Sequence, residues 1–184
     1  LPIYVGTYAI SGSASGIGAA TRAKLENAGN SVIGIDLRDA EVIADLSTPD
    51  GRQHAIDTTL ELCSGTLDGL VTAAGVGPPL RGNLIARVNY FGSHALLQGL
   101  RPALAAAGAA QVVQVGSNST TTTPNLPDEL IAAFLGGDEP GAVAIVEAVP
   151  EPFDGAIAYG GAKLAISRWC RRAAVTAEWV GEGI

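Results

Sequence analysis

Two side chains that together could move a proton, Tyr159 and Lys163, lie four positions apart near the end of the chain. In a helix this spacing places both side chains on one face. A free phenol has a pKa of about 10, so it acts as an acid or a base at neutral pH only where positive charge favours its phenolate. A hydrogen-bonding pair on a helix surface is the alternative. It does not explain why a chain with only one other lysine, Lys24, has a lysine here.

A cluster of glycines could bind phosphate. Gly12, Gly16 and Gly18 lie between the apolar stretch Ile3 to Ile10, which predicts a strand, and a stretch through Leu25 that predicts a helix. Without side chains the backbone can turn tightly and approach a pyrophosphate at the helix N-terminus. Glycine turns also serve packing alone, so this cluster is a weak signal by itself.

Asp36 strengthens that signal because it ends a predicted strand, Ser31 to Asp36, shortly after the glycine turn. A carboxylate at this place accepts hydrogen bonds from the adenosine ribose of a dinucleotide. It would also repel a 2'-phosphate, which favours NAD(H) over NADP(H), although Arg38 would partly offset the repulsion. An ordinary aspartate at a strand end remains the alternative.

Two further polar residues are candidates for a ligand site. Ser117 follows the predicted strand Gln111 to Val115, at the carboxyl edge where open α/β sheets bind ligands, and could donate a hydrogen bond to a carbonyl oxygen. Taken alone, Ser117 is more simply interpreted as a serine in a loop without a ligand. Asn89 interrupts an apolar helix predicted from about Ile85 to Ala107. It could hold a water at a kink or face solvent.

The elements that must position these residues alternate between strand and helix along the chain. Besides the strands named above, we predict strands at Glu41 to Asp45 and Leu67 to Thr72, and a helix at Pro49 to Leu62. Alternation of this kind implies an α/β fold with a doubly wound parallel sheet covered by helices on both faces. We expect residues 1–184 to form a single domain.

An insertion at about 121–155 separates the last predicted strand from the last predicted helix, Ile157 to Val180. It contains two short apolar helical patterns, Asp128 to Leu135 and Gly141 to Val149. Seven of the 18 acidic residues fall between Pro124 and Gly155, with no basic residue among them. The apolar faces of the insertion could cover a bulky substrate or contact a second subunit.

Composition excludes several function classes. A net charge of -7 argues against nucleic acid or an anionic membrane as the partner. Cys63 and Cys170 show no ligand spacing and are expected to be reduced in a cytoplasmic protein, and His54 and His94 suggest no metal site. No apolar run is long enough to span a bilayer. The chain contains no methionine and stops just after a helical pattern, so we expect a fragment.

The residues with candidate chemistry occur in the chain order of the short-chain dehydrogenase/reductase family, which this chain resembles over nearly its whole length. That resemblance implies a single Rossmann-type domain that binds NAD and interconverts an alcohol and a ketone. It implies that Tyr159 is the catalytic acid/base and that Lys163 lowers the pKa of the phenol and holds the nicotinamide ribose. It further implies that Ser117 orients the carbonyl and that Asn89 positions a proton-relay water.

The resemblance also implies a set of cofactor contacts and a subgroup. Asp45 and Leu46 match the pair of residues that contacts adenine in this family. The full set of implied cofactor-binding residues is Gly12, Ser15, Gly16, Ile17, Gly18, Asp36, Leu37, Asp45, Leu46, Ala74, Gly75, Tyr159 and Lys163. Within the family, residues 34–48 and 88–92 and the long gap from Ser117 to Tyr159 resemble the bacterial 3α-hydroxysteroid dehydrogenase/carbonyl reductases. A steroid is therefore among the implied substrates, and a homo-oligomer is the implied assembly.

The chain also departs from the family pattern. Ser11 replaces a threonine, Thr72-Ala73-Ala74-Gly75 replaces Asn-Asn-Ala-Gly, and the sixth and seventh strands are not in these residues. Two other functions stay open. An extended-family nucleotide-sugar epimerase or dehydratase is disfavoured by the spacing of the glycines. A dinucleotide-sensing or scaffold protein is disfavoured by the intact set of four catalytic positions.

Overall fold

A computed structural model describes residues 5–184 as a five-stranded parallel sheet with helices packed around it. The strand order is β3-β2-β1-β4-β5, and every neighbouring pair is parallel. This is the doubly wound, Rossmann-type sheet predicted from the sequence. The strands are β1 (Thr7–Ser11), β2 (Ser31–Asp36), β3 (Val42–Ile43), β4 (Gly69–Thr72) and β5 (Gln111–Gln114).

The helices account for most of the remaining chain. One long helical run contains α3, a π-helical turn and α4 in immediate succession. A short 3-10 helix, Val180–Glu182, follows the last α-helix. The helices are α1 (Gly16–Asn27), α2 (Pro49–Leu62), α3 (Gly82–Ala86), the π-helical turn (Arg87–Gly92), α4 (Ser93–Ala107), α5 (Ser119–Thr122), α6 (Asp128–Leu135), α7 (Glu139–Glu147) and α8 (Asp154–Ala173).

Most strands differ from the predicted bounds at one end or both. Ile3 and Tyr4, which open the first predicted strand, lie outside the described residues, and β1 begins at Thr7 and ends one residue later than predicted. β4 begins two residues after the predicted Leu67, and β5 ends one residue before the predicted Val115. Strand β3 has two residues because it pairs only with β2, after which the Ala44 amide bonds to the Asp36 carbonyl oxygen at 2.9 Å. β2 has the bounds predicted for it.

The last helix was predicted to run from Ile157 to Val180, and this is wrong at both ends. Helix α8 begins at Asp154 and ends at Ala173. It ends there because the Thr176 hydroxyl bonds to the Ala173 carbonyl oxygen at 2.9 Å, a side-chain bond that competes with helix continuation. The chain then folds back and places the ring of buried Trp179 edge-on to Trp169, at 5.7 Å between centroids.

The apolar faces of the insertion are buried within the chain. Leu130 and Phe134 of α6 and Val146 of α7 are fully buried in the single core cluster. A side chain at Gly82 of α3 would come within 2.3 Å of Val146, which shows how closely α7 approaches α3. These three side chains therefore pack on the helices of this domain. Whether the rest of the insertion borders the substrate entrance or a second subunit stays a prediction.

The second helix of the insertion begins earlier than Gly141, where it was predicted to start. The Asp138 carboxylate caps α7 by accepting from the Gly141 amide at 2.9 Å, so the helix begins at Glu139. Within residues 5–184, no helix has both the length and the apolar character that crossing a membrane requires.

Candidate active site

A cleft of about 880 Å³ opens beyond the carboxyl ends of β1, β2, β4 and β5. All the cofactor-binding residues predicted from the sequence line this cleft, including Tyr159 and Lys163. Of the other two candidates, Asn89 is buried beside the cleft and Ser117 adjoins it, and neither is part of the lining.

The three glycines of the first turn serve different needs. A Cβ at Gly18 would lie 2.0 Å from the Gly12 carbonyl oxygen, and one at Gly12 would lie 2.8 Å from the Ala74 backbone, so neither position has room for a side chain. Gly16 has a φ of +53° and no neighbouring atom within 4 Å of an added Cβ. The turn thus leaves open space in front of the N-terminus of α1.

That space fits a pyrophosphate. Ser15 precedes α1 in an extended conformation and makes no side-chain capping bond, and the first turn of α1 carries no acidic residue. The amide groups at this helix end are therefore left for a ligand, and the helix dipole favours an anion there. The residues present fit the phosphates of a dinucleotide.

Asp36 is held rigidly at the end of β2. Its carboxylate accepts from the Ala14 amide at 3.0 Å and from the Leu37 amide at 2.7 Å. A carboxylate has about four acceptor sites, so hydroxyl groups of a ribose can still bind to it. The bond to Ala14 also ties the carboxylate directly to the glycine turn.

A short loop after β3 forms another part of the cleft wall. Asp45 is exposed and its carboxylate accepts from the Ser47 amide at 2.9 Å, while Leu46 is buried. Arg52 of α2 holds this loop from behind, because its guanidinium donates to the carbonyl oxygens of Leu46 at 2.9 Å and Ser47 at 3.1 Å. Sequence reasoning did not identify Arg52.

Helix α8 brings Tyr159 to the cleft because small residues let it sit deep among other helices. An added Cβ at Gly160 would come within 2.6 Å of the Thr123 hydroxyl oxygen, and one at Gly161 within 2.9 Å of Leu130. Both glycines therefore permit close contact with the insertion. The Tyr159 ring lies against Gly77, where an added Cβ would be 3.6 Å from the ring.

Lys163 lies one helical turn after Tyr159 and is 4% exposed. Its ammonium donates to the Val115 carbonyl oxygen, just past the end of β5, at 2.8 Å. Burial lowers the pKa of Lys163, because a charged ammonium is less well solvated inside the protein. None of the carboxylates in the described part of the chain forms an ion pair with it.

Asn89 does not face solvent, which was one of its two predicted environments. It is fully buried in the π-helical turn. Its side chain accepts from the Val76 amide at 2.8 Å and donates to the Val76 carbonyl oxygen at 2.9 Å. The extra residue of a π turn redirects side chains, and here it points this amide at the loop after β4.

Ser117 lies in the loop after β5, as its position in the sequence predicted. It is partly buried, and its hydroxyl oxygen accepts from the Ser119 amide at 3.2 Å. Its neighbour Gly116 lines the cleft, which keeps Ser117 close to the site.

Several residues of the cleft were missed from the sequence. Some follow the carboxyl ends of strands, a position that could have identified them. Val88 falls inside the predicted apolar helix and Leu84 just before its predicted start, so neither position indicated a ligand site. The missed residues are Ile35, Ala44, Ala73, Val76, Gly77, Pro78, Leu84, Val88, Val115 and Gly116.

The sequence is 44% identical over 177 residues to the 3-alpha-hydroxysteroid dehydrogenase/carbonyl reductase of Comamonas testosteroni, covering 95% of this chain and 67% of that protein. The chain belongs to the short-chain dehydrogenase/reductase family. It spans about two thirds of that relative's length. A scan against family models gave no match.

Solved structures of short-chain dehydrogenases agree with this assignment. The 3-alpha-hydroxysteroid dehydrogenase from Pseudomonas sp. B-0831, complexed with NADH, is 44% identical and has a TM-score of 0.89, with coverage of 96% of this chain and 68% of that one. A short chain dehydrogenase from Leptospira borgpetersenii with bound NAD+ has a TM-score of 0.69 at 17% identity, covering 98% of this chain and 68% of that one. The second similarity shows the fold alone.

These similarities confirm the predicted family, its subgroup and the Rossmann-type fold. They also confirm the enzyme class, an NAD-dependent oxidoreductase of the short-chain dehydrogenase/reductase family. The glycine turn and Asp36 line a cleft whose shape and hydrogen-bonding groups fit a dinucleotide.

Proposed function

We propose that this chain interconverts a secondary alcohol and a ketone with NAD(H), and that Tyr159 is the acid/base of the reaction. The observation that carries the proposal is that Tyr159 and Lys163 line the same cleft as the glycine turn and Asp36. A phenol and an ammonium thus share one space with a site that fits a dinucleotide.

Bound NAD(H) would supply the chemistry that the side chains lack, by accepting or delivering a hydride at its nicotinamide ring. The glycine turn and the N-terminus of α1 would hold its phosphates, and Asp36 its adenosine ribose. Asp45 and Leu46 would border the adenine.

Tyr159 would move the proton. In the reducing direction its hydroxyl donates a proton to the substrate oxygen, and in the oxidising direction its phenolate accepts one. The hydroxyl makes no hydrogen bond with any residue from 5 to 184, so it is free for a substrate. Lys163, one turn away on the same helix, would hold the nicotinamide ribose and add a positive charge to the site.

Ser117 and Asn89 would support this step. Ser117 would donate a hydrogen bond to the substrate oxygen and fix its orientation. Asn89 holds the Val76 backbone with both ends of its amide, and through the π turn it would position the water that relays protons.

The substrate would be an apolar carbonyl compound or alcohol. The cleft wall includes Gly77, which lies against the Tyr159 ring, and the uncharged residues Pro78, Leu84 and Val88. A 3-hydroxysteroid and its 3-ketosteroid fit such a wall, in keeping with the relative from Comamonas testosteroni, which is named for both steroid and carbonyl substrates. A homo-oligomer, as the resemblance implies, in the cytoplasm, where Cys63 and Cys170 would stay reduced, completes the proposal. Sedimentation of the purified protein would test the assembly.

Tyr159→Phe is the test of this function. It removes the hydroxyl and keeps the ring, so we expect turnover to fall by about 10²- to 10⁴-fold, the usual contribution of general acid/base catalysis. Turnover is followed by absorbance of the reduced nicotinamide with 3-ketosteroids and smaller ketones. NADH affinity, from nicotinamide fluorescence, should change little.

The matched control is Tyr8→Phe, which removes a phenol hydroxyl on β1 that does not line the cleft. We expect this variant to turn over like the wild type. Turnover by Tyr159→Phe within twofold of the control would reject Tyr159 as the acid/base.

A further inference from the structure

A line of hydrogen bonds runs from the carboxyl end of β4 to the Lys163 ammonium. Thr72 and Gln114 are paired across β4 and β5, and the Thr72 hydroxyl bonds to the side-chain oxygen of Gln114. Gln114 Nε2 donates to the Val115 carbonyl oxygen at 3.0 Å, and Lys163 Nζ donates to the same oxygen at 2.8 Å. One carbonyl oxygen therefore accepts from two side chains.

Hydrogen-bond chemistry fixes the direction of each bond in this line. A carbonyl oxygen can only accept, so Gln114 must turn its amide nitrogen to Val115 and its amide oxygen to Thr72. The amide oxygen also only accepts, so the buried Thr72 hydroxyl must donate. Thr72 thereby holds the Gln114 amide in the orientation that lets it donate to Val115.

The bond to Val115 is the one hydrogen bond that Lys163 makes with residues 5–184. The Gln114 amide weakens this bond in two ways. It takes part of the electron density of the shared oxygen, and it places the positive end of its N–H dipole near the ammonium, where positive charge is unfavourable. On helix α8, the titratable side chain nearest to Lys163 in the sequence is the Tyr159 phenol, one helical turn before it.

We propose that Thr72 and Gln114 are positioning residues that compete with Lys163 for the Val115 carbonyl oxygen and so release the ammonium to bind the cofactor. This inference rests on the proposed role of Lys163 in holding the nicotinamide ribose. A lysine that is bound less tightly in the free protein loses less when it turns to a ligand hydroxyl, so ligand binding is favoured. Thr72 and Gln114 do not themselves line the cleft.

Gln114→Met tests the inference because it keeps the length of the side chain and removes its donor and acceptor. The first readout is the pKa of Lys163 in the cofactor-free protein, from NMR of lysine-labelled chain. Two lysines give two signals, and exposed Lys24 is the internal reference. We expect the pKa of Lys163, which burial lowers in the wild type, to rise in the variant because the competing dipole is gone.

The second readout is NADH binding, measured by nicotinamide fluorescence. Since Lys163 is held more tightly in Gln114→Met, we expect the dissociation constant to rise about three- to tenfold, within the range of one hydrogen bond. Gln111→Met is the matched control, because Gln111 is exposed at the other end of β5. It should change neither readout.

Thr72→Val should move both readouts in the same direction by a smaller amount, because the Gln114 amide loses its orienting bond. Added to Gln114→Met, it should have no further effect on either one. If Gln114→Met does not fold, Thr72→Val decides alone: a raised pKa of Lys163 supports the inference. An unchanged or lowered pKa of Lys163 in the folded variant, or an unchanged dissociation constant, overturns it.

Failure of this inference is distinguishable from failure of the proposed function. The NMR titration needs neither cofactor nor substrate, so its outcome does not depend on turnover. Full activity of Tyr159→Phe together with the expected shift at Lys163 would reject the acid/base role and keep the competition for Val115.

Discussion

The Arg52 guanidinium and the Glu139 carboxylate, 87 residues apart in the sequence, form a bidentate ion pair with N–O distances of 2.6 and 2.9 Å. Arg87 adds a third contact to Glu139 at 3.4 Å. The same guanidinium holds the carbonyl oxygens of Leu46 and Ser47, beside the cleft. One arginine therefore connects the insertion to the loop that borders the cleft.

Glu139→Gln should consequently affect both stability and cofactor binding. It leaves two arginines without their anion, and a largely buried pair of this kind is costly to break. We expect the free energy of unfolding in urea to fall by about 1–3 kcal/mol, less than for a fully buried pair. NADH affinity should fall several-fold because Leu46 and Ser47 are held less firmly.

Glu147→Gln is the control for that experiment. Glu147 is exposed at the end of the same helix and accepts from Asn83 Nδ2 at 2.8 Å. Glu147 bonds to Asn83 and not to Arg52, so substitution of Glu147 should leave NADH affinity unchanged. Equal effects of the two substitutions would contradict the link between Glu139 and the loop at Leu46 and Ser47.

Asp36 should determine which dinucleotide is preferred. Asp36→Asn removes the negative charge at the end of β2, and with it the repulsion of a 2'-phosphate. We expect the ratio of kcat/KM for NADPH to that for NADH to rise by about tenfold, equivalent to about 1.4 kcal/mol. NADH itself should bind more weakly, because an amide oxygen accepts less strongly than a carboxylate.

The control is Asp39→Asn. Asp39 is exposed three positions later and has a φ of +50°, a conformation that asparagine tolerates. This substitution removes the same charge without touching the end of β2. If both variants shift the cofactor ratio alike, net charge rather than Asp36 governs the preference.

Much of the fold could be predicted from local patterns in the sequence. Helix α2 has the predicted bounds because neighbouring residues define where it starts. The Thr48 hydroxyl oxygen accepts from the Gly51 amide at 3.0 Å, and Pro49 is the first residue of the helix. Helix α6 also matches its prediction. The glycine turn could be placed because a strand, the turn and a helix follow one another directly in the chain.

The parts that escaped prediction depend on packing between distant segments. No pattern near Arg52 indicates Glu139, and none near Gln114 indicates that its amide shares an acceptor with Lys163. The burial of Asn89 likewise needs the loop at Val76 and the π turn to meet. Sequence periodicity reports which face of an element is apolar, and it carries no information about such pairs.

The start of α8 provides a prediction about pH. Asp154 is buried, and its carboxylate accepts from the Gly82 amide at 2.8 Å and lies 3.3 Å from Arg81 Nε. The Gly82 amide, with help from the Arg81 guanidinium, holds the pKa of the Asp154 carboxyl below its usual 3.8. The ionised form is thus bound more strongly in the folded protein than it is solvated in the unfolded one.

Asp154→Asn should therefore lower stability only where Asp154 is ionised. Above pH 3.8 we expect the variant to be less stable in urea by about 1–2 kcal/mol, the loss of charge from one hydrogen bond. The difference should shrink as the pH falls below 3.8 and vanish below the lowered pKa, where the wild-type carboxyl is neutral as well. Asp128→Asn, at an exposed position that begins α6, is the control and should change the free energy of unfolding much less, because solvent screens an exposed charge. A difference between wild type and Asp154→Asn that stays constant from pH 7 to pH 3 would show that shape, not charge, is what Asp154 contributes.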